Sequence, residues 1–146
     1  MQEQKPAILI QSQYIKDLSM EIPHAPQIFS KLRGKNPNVN VSLDINTEKL
    51  DDHVFNVMMN ITINGDVEKE KAFILELTYA AVVTVNVPAE HEEPVLMVEI
   101  PHMIYPYARE IVSTTLGQAG LPPMLLNPID FMGMYQAKKQ APANKQ

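Results

Sequence analysis

Apolar and polar residues alternate along four stretches of the first part of the chain, and a three-to-four-residue period replaces that alternation later. From Gln13 to Ile22, Tyr14, Leu18, Met20 and Ile22 fall on one face with Lys16, and Gln13, Asp17, Ser19 and Glu21 on the other with Ile15. This spacing predicts a strand. Val39, Val41, Leu43 and Ile45 alternate with Asn38, Asn40, Ser42 and Asp44, a second strand, and Asn46 to Asp52 reads as a connection. Phe55, Val57, Met59, Ile61 and Ile63 alternate with Asn56, Met58, Asn60, Thr62 and Asn64, a third. Asn64-Gly65-Asp66 carries a hairpin signal, because Asn and Gly tolerate the positive φ of tight turns. The fourth strand, Lys71 to Val87, has no Gly or Pro and is rich in β-branched residues. Its Phe73, Leu75, Leu77, Tyr79, Ala81, Val83, Val85 and Val87 form a face without charge, and Glu76 lies on the mixed opposite face. An uncharged face has to be covered, by helices of the same chain or by another subunit.

The segment between the first two strands, Gln27 to Pro37, reads as a loop whose Ile28, Phe29 and Leu32 lie over a groove rather than in water. Past Pro88, Glu90 to Glu99 begins with acids and a Pro, which suits a helix N-terminus. From Pro101 to Gly120, Ile104, Ala108, Ile111, Val112 and Thr115 share a helical stripe flanked by Met103 and Tyr107. Pro106 predicts a kink there, or a helix start one residue earlier. Asn127 is a candidate N-cap for a last helix holding Ile129, Phe131, Met132 and Tyr135. Strands followed by helices predict one α+β domain over residues 1–146: a four-stranded antiparallel, meander-like sheet with helices packed on one face. Residues 1–12 and 137–146 are expected to be disordered tails.

A net charge of −5 and a pI near 5.3 argue against nucleic acid as a partner. With no cysteine there is no disulfide, thiolate metal site or Cys nucleophile. Ala7 to Ile10 is too short an apolar run for a signal sequence, and Glu76 interrupts the longest candidate for a membrane span. No membrane insertion and a cytoplasmic location are therefore expected. His24, His53, His91 and His102 fall at no metal-ligand spacing, and five scattered glycines make no phosphate loop. Neither an enzyme nor a cofactor is expected. Nine methionines without any Trp suit irregular cores and surfaces that accept varied ligands.

Several blocks resemble one family. Ile15 to Glu21 followed by Pro23-His24-Ala25-Pro26, Phe73 to Leu77, Tyr105-Pro106-Tyr107-Ala108-Arg109-Glu110, Leu121-Pro122-Pro123, and Leu126-Asn127-Pro128-Ile129 with Asp130-Phe131 are similar to SecB, the bacterial protein-export chaperone. The resemblance implies a homotetramer, a dimer of dimers, that holds unfolded precursor proteins without ATP and passes them to the translocation ATPase SecA. Carried over residue by residue, it implies SecA-binding positions at Asp17, Glu21, Ile74 and Glu76. From spacing alone Asp17 and Glu21 read as plain solvation of an outer face, and Glu76 beside Ile74 suits a surface that meets solvent or a partner. It also implies that Leu75, Leu77 and Tyr79 support tetramer assembly, and that a client groove runs between Ile28, Phe29 and Leu32 on one side and Tyr105, Leu121 and Met124 on the other. The chain departs from the pattern in two places: the loop after the first strand lacks a Trp, and the tail from Lys138 is short and basic. A chaperone dedicated to one client, such as a toxin–antitoxin pair, and a small-ligand-binding α+β domain are the alternatives.

Overall fold

The computed structural model describes residues 6–140. Strands β1 (Ile8–Glu21), β2 (Asn38–Asp51), β3 (Val54–Val67) and β4 (Glu70–Val85) form one antiparallel sheet in the order β1-β4-β3-β2. The four antiparallel strands are those the alternation predicts, but only β2, β3 and β4 make a meander. β1 returns beside β4, giving a Greek-key order, so β1 and β2 are the sheet's two open edges.

Two bulges alter the reading of β1. The register with β4 skips Gln11 and Lys16, and each extra residue turns the following side chains to the opposite face. Ile15, paired with Tyr79, therefore shares the inner face with Leu18 and Met20, paired with Leu77 and Leu75. Tyr14, paired with Ala80, lies on the outer face, where its hydroxyl donates to Asn56 Oδ1 at 2.9 Å. Strict alternation places both residues on the wrong side.

The hairpins also differ from expectation. β2 continues through most of the expected 46–52 connection and turns at His53, whose φ is +61°. The β3–β4 turn sits at Glu68 and Lys69, with φ of +50° and +64°, the two left-handed positions of a type I′ turn. Gly65 lies inside β3, next to a register shift. A side chain at Gly65 would overlap the Phe73 ring across the ladder, so close approach rather than a turn accounts for this glycine.

Between β1 and β2 the expected loop contains a short helix, α1 (Ile28–Leu32). Past β4, α2 (Ala89–Pro94) runs through a π-helical turn, Val95–Glu99, into α3 (Ile100–Gln118). The Ile100 N–H bonds the Val95 carbonyl, a five-residue step. Prolines at 94 and 101 bring no N–H to the normal four-residue ladder on either side. Helix α3 passes through Pro106 rather than starting there, and it ends at Gly120 with φ +86°. The Leu121 N–H caps the Leu116 carbonyl at 3.0 Å, a Schellman arrangement. The last helix, α4 (Phe131–Gln140), is capped by Asp130, whose Oδ1 accepts from the Gly133 N–H at 3.0 Å; Asn127 lies outside it. Parts of the expected tails are thus structured: β1 begins at Ile8 and α4 reaches Gln140, while 1–5 and 141–146 lie outside the described residues.

The core sits between the sheet's inner face and α3. Leu75, Leu77, Ile61 and Ile63 face Ile104, Ala108, Val112 and Leu116, and all are buried. Each such aliphatic side chain contributes roughly 1.5–3 kcal/mol by leaving water.

Candidate functional site

The outer face of the sheet gathers the four residues assigned to SecA binding. Glu21 pairs with Ile74, Ser19 with Glu76, and Asp17 with Thr78 on the adjacent strands β1 and β4. At ~3.3 Å per residue the patch spans roughly 13 Å along the strands. Asp17, Glu21 and Glu76 are exposed, Ile74 is half-buried, and the acids make no ion pair with another described residue. Beside them on the outer face, Thr78 Oγ1 donates to Asn60 Oδ1 at 2.9 Å, Lys71 Nζ donates to Asn64 Oδ1, opposite Ile74, at 3.2 Å, and Lys16 Nζ reaches Met58. This is a flat surface offering negative charge around one aliphatic side chain.

The groove residues divide. Ile28 is only 1 % exposed and belongs to the core, so it cannot line an open groove. Phe29 and Leu32 are half-buried, and the Phe29 ring lies against Gly120, where a Cβ would be 3.5 Å away. Met124 opens onto two adjoining clefts, of about 210 and 520 Å³. Leu121 lines the smaller with Phe73 and Leu116. Tyr105 lines the larger with Val41, Leu43 and Met134, and its hydroxyl donates to the Asn127 carbonyl. Burial raises the Tyr105 phenol's pKa, with the neighbouring Arg109 guanidinium pulling the other way. The hydroxyl therefore stays a neutral donor that ties α3 to the 121–130 connection.

Val39 is common to both clefts, and the floor is the inner face of edge strand β2. Val39 and Val41 are 37 % and 41 % exposed and Leu125 is 69 % exposed, so this apolar surface is open. Sequence reasoning missed these residues because their alternation is that of any half-buried strand. Only the strand order shows that no helix covers them.

Leu75 and Leu77 are buried within the protomer beneath α3, and Tyr79 nearly so. None of the three offers much surface to another subunit. A different apolar patch does, where β1 extends beyond the helices: Ile15, Leu18, Met103 and Tyr107 are each at least 40 % exposed. Tyr107 stacks on Tyr79, and Gln13 Nε2 donates to the Tyr79 hydroxyl at 3.0 Å, joining the patch to the inner face. Among the described residues no cluster of His, Asp or Glu is arranged to hold a metal, and no helix is long and apolar enough to cross a membrane.

The family described as preprotein translocase subunit SecB matches residues 1–142. This chain belongs to the SecB family. It is 41 % identical over 136 residues to the protein-export protein SecB of Paramagnetospirillum magneticum, covering 93 % of this chain and 88 % of that one. It is 39 % identical over 144 residues to the protein of the same name from Neisseria meningitidis serogroup A, covering 97 % of each. The fold matches a SecB-like chaperone of Mycobacterium tuberculosis, solved in complex with a ChAD peptide from the HigA1 antitoxin, with a TM-score of 0.69 at 15 % identity over 85 % of this chain and 91 % of that one. SecB proteins are protein-export chaperones and not enzymes, and this chain is one of them.

Proposed function

We propose that the protein acts in the cytoplasm as an ATP-independent holdase, binding unfolded precursor proteins in the groove along β2 and delivering them to SecA. The observation that carries this reading is the open apolar floor of Val39 and Val41, walled by Met124 and Met134. A surface that must accept many sequences needs apolar area and adaptable side chains more than fixed polar contacts, and methionine is well suited to it. Binding the unfolded chain then retards its folding by mass action, without nucleotide.

Asp17, Glu21, Ile74 and Glu76 form the SecA-docking surface in this reading, supported by their shared face and by the absence of an ion-pair partner for the acids among the described residues. Such charges steer and orient a partner more than they add affinity. The working form is a homotetramer, a dimer of dimers, in which weak groove contacts repeat over four subunits. Leu75, Leu77 and Tyr79 support assembly by seating α3, and Ile15, Leu18, Met103 and Tyr107 supply the apolar surface that assembly would cover.

The deciding experiment is refolding of a slow-folding precursor with and without the protein, in the absence of ATP, with light scattering on the same sample. A tetramer that blocks refolding near stoichiometric amounts is expected. A tetramer without effect on several precursors would instead favour a single dedicated client, and a monomer would refute the assembly.

A further inference from the structure

Among the described groove residues, only the methionines carry an atom that a peroxide attacks readily, the thioether sulfur. The chain holds nine methionines and no cysteine, so no thiol competes with them for an oxidant. The methionines are not equivalent. Met59 is fully buried in the core, and the exposed Met103 and Met132 border a separate cleft. Met124 and Met134 are half-buried in the groove itself: Met124 is common to both of its clefts, and Met134 lines the larger.

Two contacts hold Met124 at this junction. Pro123 packs on α3, where a Cβ at Gly117 would lie 3.6 Å from its Cγ, and the Asn127 carbonyl accepts from the Tyr105 hydroxyl. Between them the backbone has little freedom to carry the Met124 side chain out of the groove. Phe73, Leu116 and Leu121 stand on one side of it and Val41 and Leu43 on the other, and none of these side chains can donate a hydrogen bond.

We propose that Met124 and Met134 are oxidation sites that switch client binding off: hydrogen peroxide converts them to sulfoxides, and the groove then releases the unfolded polypeptide. The inference rests on the holdase reading and adds its regulation. A sulfur lone pair attacks one peroxide oxygen, the O–O bond breaks, and the departing hydroxide takes the proton of the transferred hydroxyl and leaves as water. Sulfur is oxidised by two electrons and the peroxide is reduced by two, with no change in charge. The new S=O dipole is hydrated while the groove is empty. A client that covers it strips that water without supplying a donor, at the point where the two clefts meet.

The test measures binding of reduced, carboxamidomethylated α-lactalbumin to the full chain before and after hydrogen peroxide, which catalase removes before mixing. Peptide mass spectrometry should find sulfoxide at Met124 and Met134 and none at Met59. Binding should weaken about five- to fiftyfold. It should return after incubation with methionine sulfoxide reductases of both epimer specificities. Each variant is compared with its own untreated form. The double variant Met124→Leu, Met134→Leu should lose little on treatment, and Met103→Leu, Met132→Leu as much as the wild type. Weakening that persists undiminished in the first variant would overturn the inference, as would complete sulfoxide formation at both groove positions with affinity unchanged. Either result leaves the holdase reading standing. Failure of the untreated protein to bind the probe would overturn that reading and this inference with it.

Discussion

The Tyr107 ring lies over that of Tyr79 with centroids 6.4 Å apart and planes 12° from parallel, yet Tyr107 remains 55 % exposed. One tyrosine is thus anchored by the core and the other is held out from it, in an orientation that a second subunit could cover. Tyr107→Asp should shift the protein to smaller species in light scattering, while circular dichroism of the protomer stays unchanged. Leu77→Asp should behave differently. That residue is 1 % exposed within its own chain, and an unpaired buried charge there costs several kcal/mol of folding stability. If Tyr107→Asp stays tetrameric, the patch is not an interface.

Glu76 stands opposite Ser19 on the outer face, one row from the Glu21–Ile74 pair. Glu76→Lys should weaken SecA binding about two- to tenfold at low ionic strength, with the difference shrinking as salt is added. Oligomeric mass and thermal stability should not change, because the side chain is exposed. Titration by calorimetry at two salt concentrations checks this, and equal affinities at low salt would remove Glu76 from the docking surface.

Gly65 faces the buried Phe73 ring, and the overlap a methyl would create there cannot be relieved by a flexible chain end. Gly65→Ala should therefore destabilise the protein by ~1–3 kcal/mol, as overpacking does. Chemical denaturation measures the loss. Adding Phe73→Leu should recover part of it, whereas turn geometry at Gly65 would predict no recovery.

Glu70 joins α1 to the β3–β4 turn through Lys31, and His24 Nδ1 lies 3.6 Å from its other oxygen. The hydrogen bond from Lys31 holds the Glu70 carboxyl below its usual value of 4.5, and the same bond raises Lys31 above 10.5. The depressed acid stabilises the fold above pH 4.5, and that contribution is lost as pH falls through its folded value. The raised lysine contributes below pH 10.5 and loses its share as pH rises through its folded value. Thermal melts should separate wild type from Glu70→Gln at neutral pH and bring them together as pH falls through the depressed Glu70 value. Lys31 is exposed and Glu70 half-buried at the surface, so the gap should be small and salt-sensitive.

Much of this architecture was legible along the chain. Val57, Met59, Ile61 and Ile63 alternate without interruption, and a buried strand face leaves that trace in any sequence. The stripe of Ile104, Ala108 and Val112 marks α3 in the same way, and the family blocks around Tyr105 to Glu110 pointed to the right relatives.

The turns were less legible. Glu68 and Lys69 adopt left-handed conformations that their residue types do not favour, so the strands impose this turn on residues that carry no signal for it. Asn64-Gly65 carried the signal, but its glycine was needed by Phe73.

What the sequence determined by itself is which residues are apolar on a shared face, because periodicity is a local property of a strand or helix. Tertiary structure decided what covers each face. Two bulges moved Ile15 and Tyr14 to opposite sides of β1, own-chain helices took Leu75, Leu77 and Ile28 into the core, and the edge position of β2 left Val39 and Val41 open. Burial depends on neighbours distant in the chain, and the proposed binding surface is the apolar face that folding leaves without one.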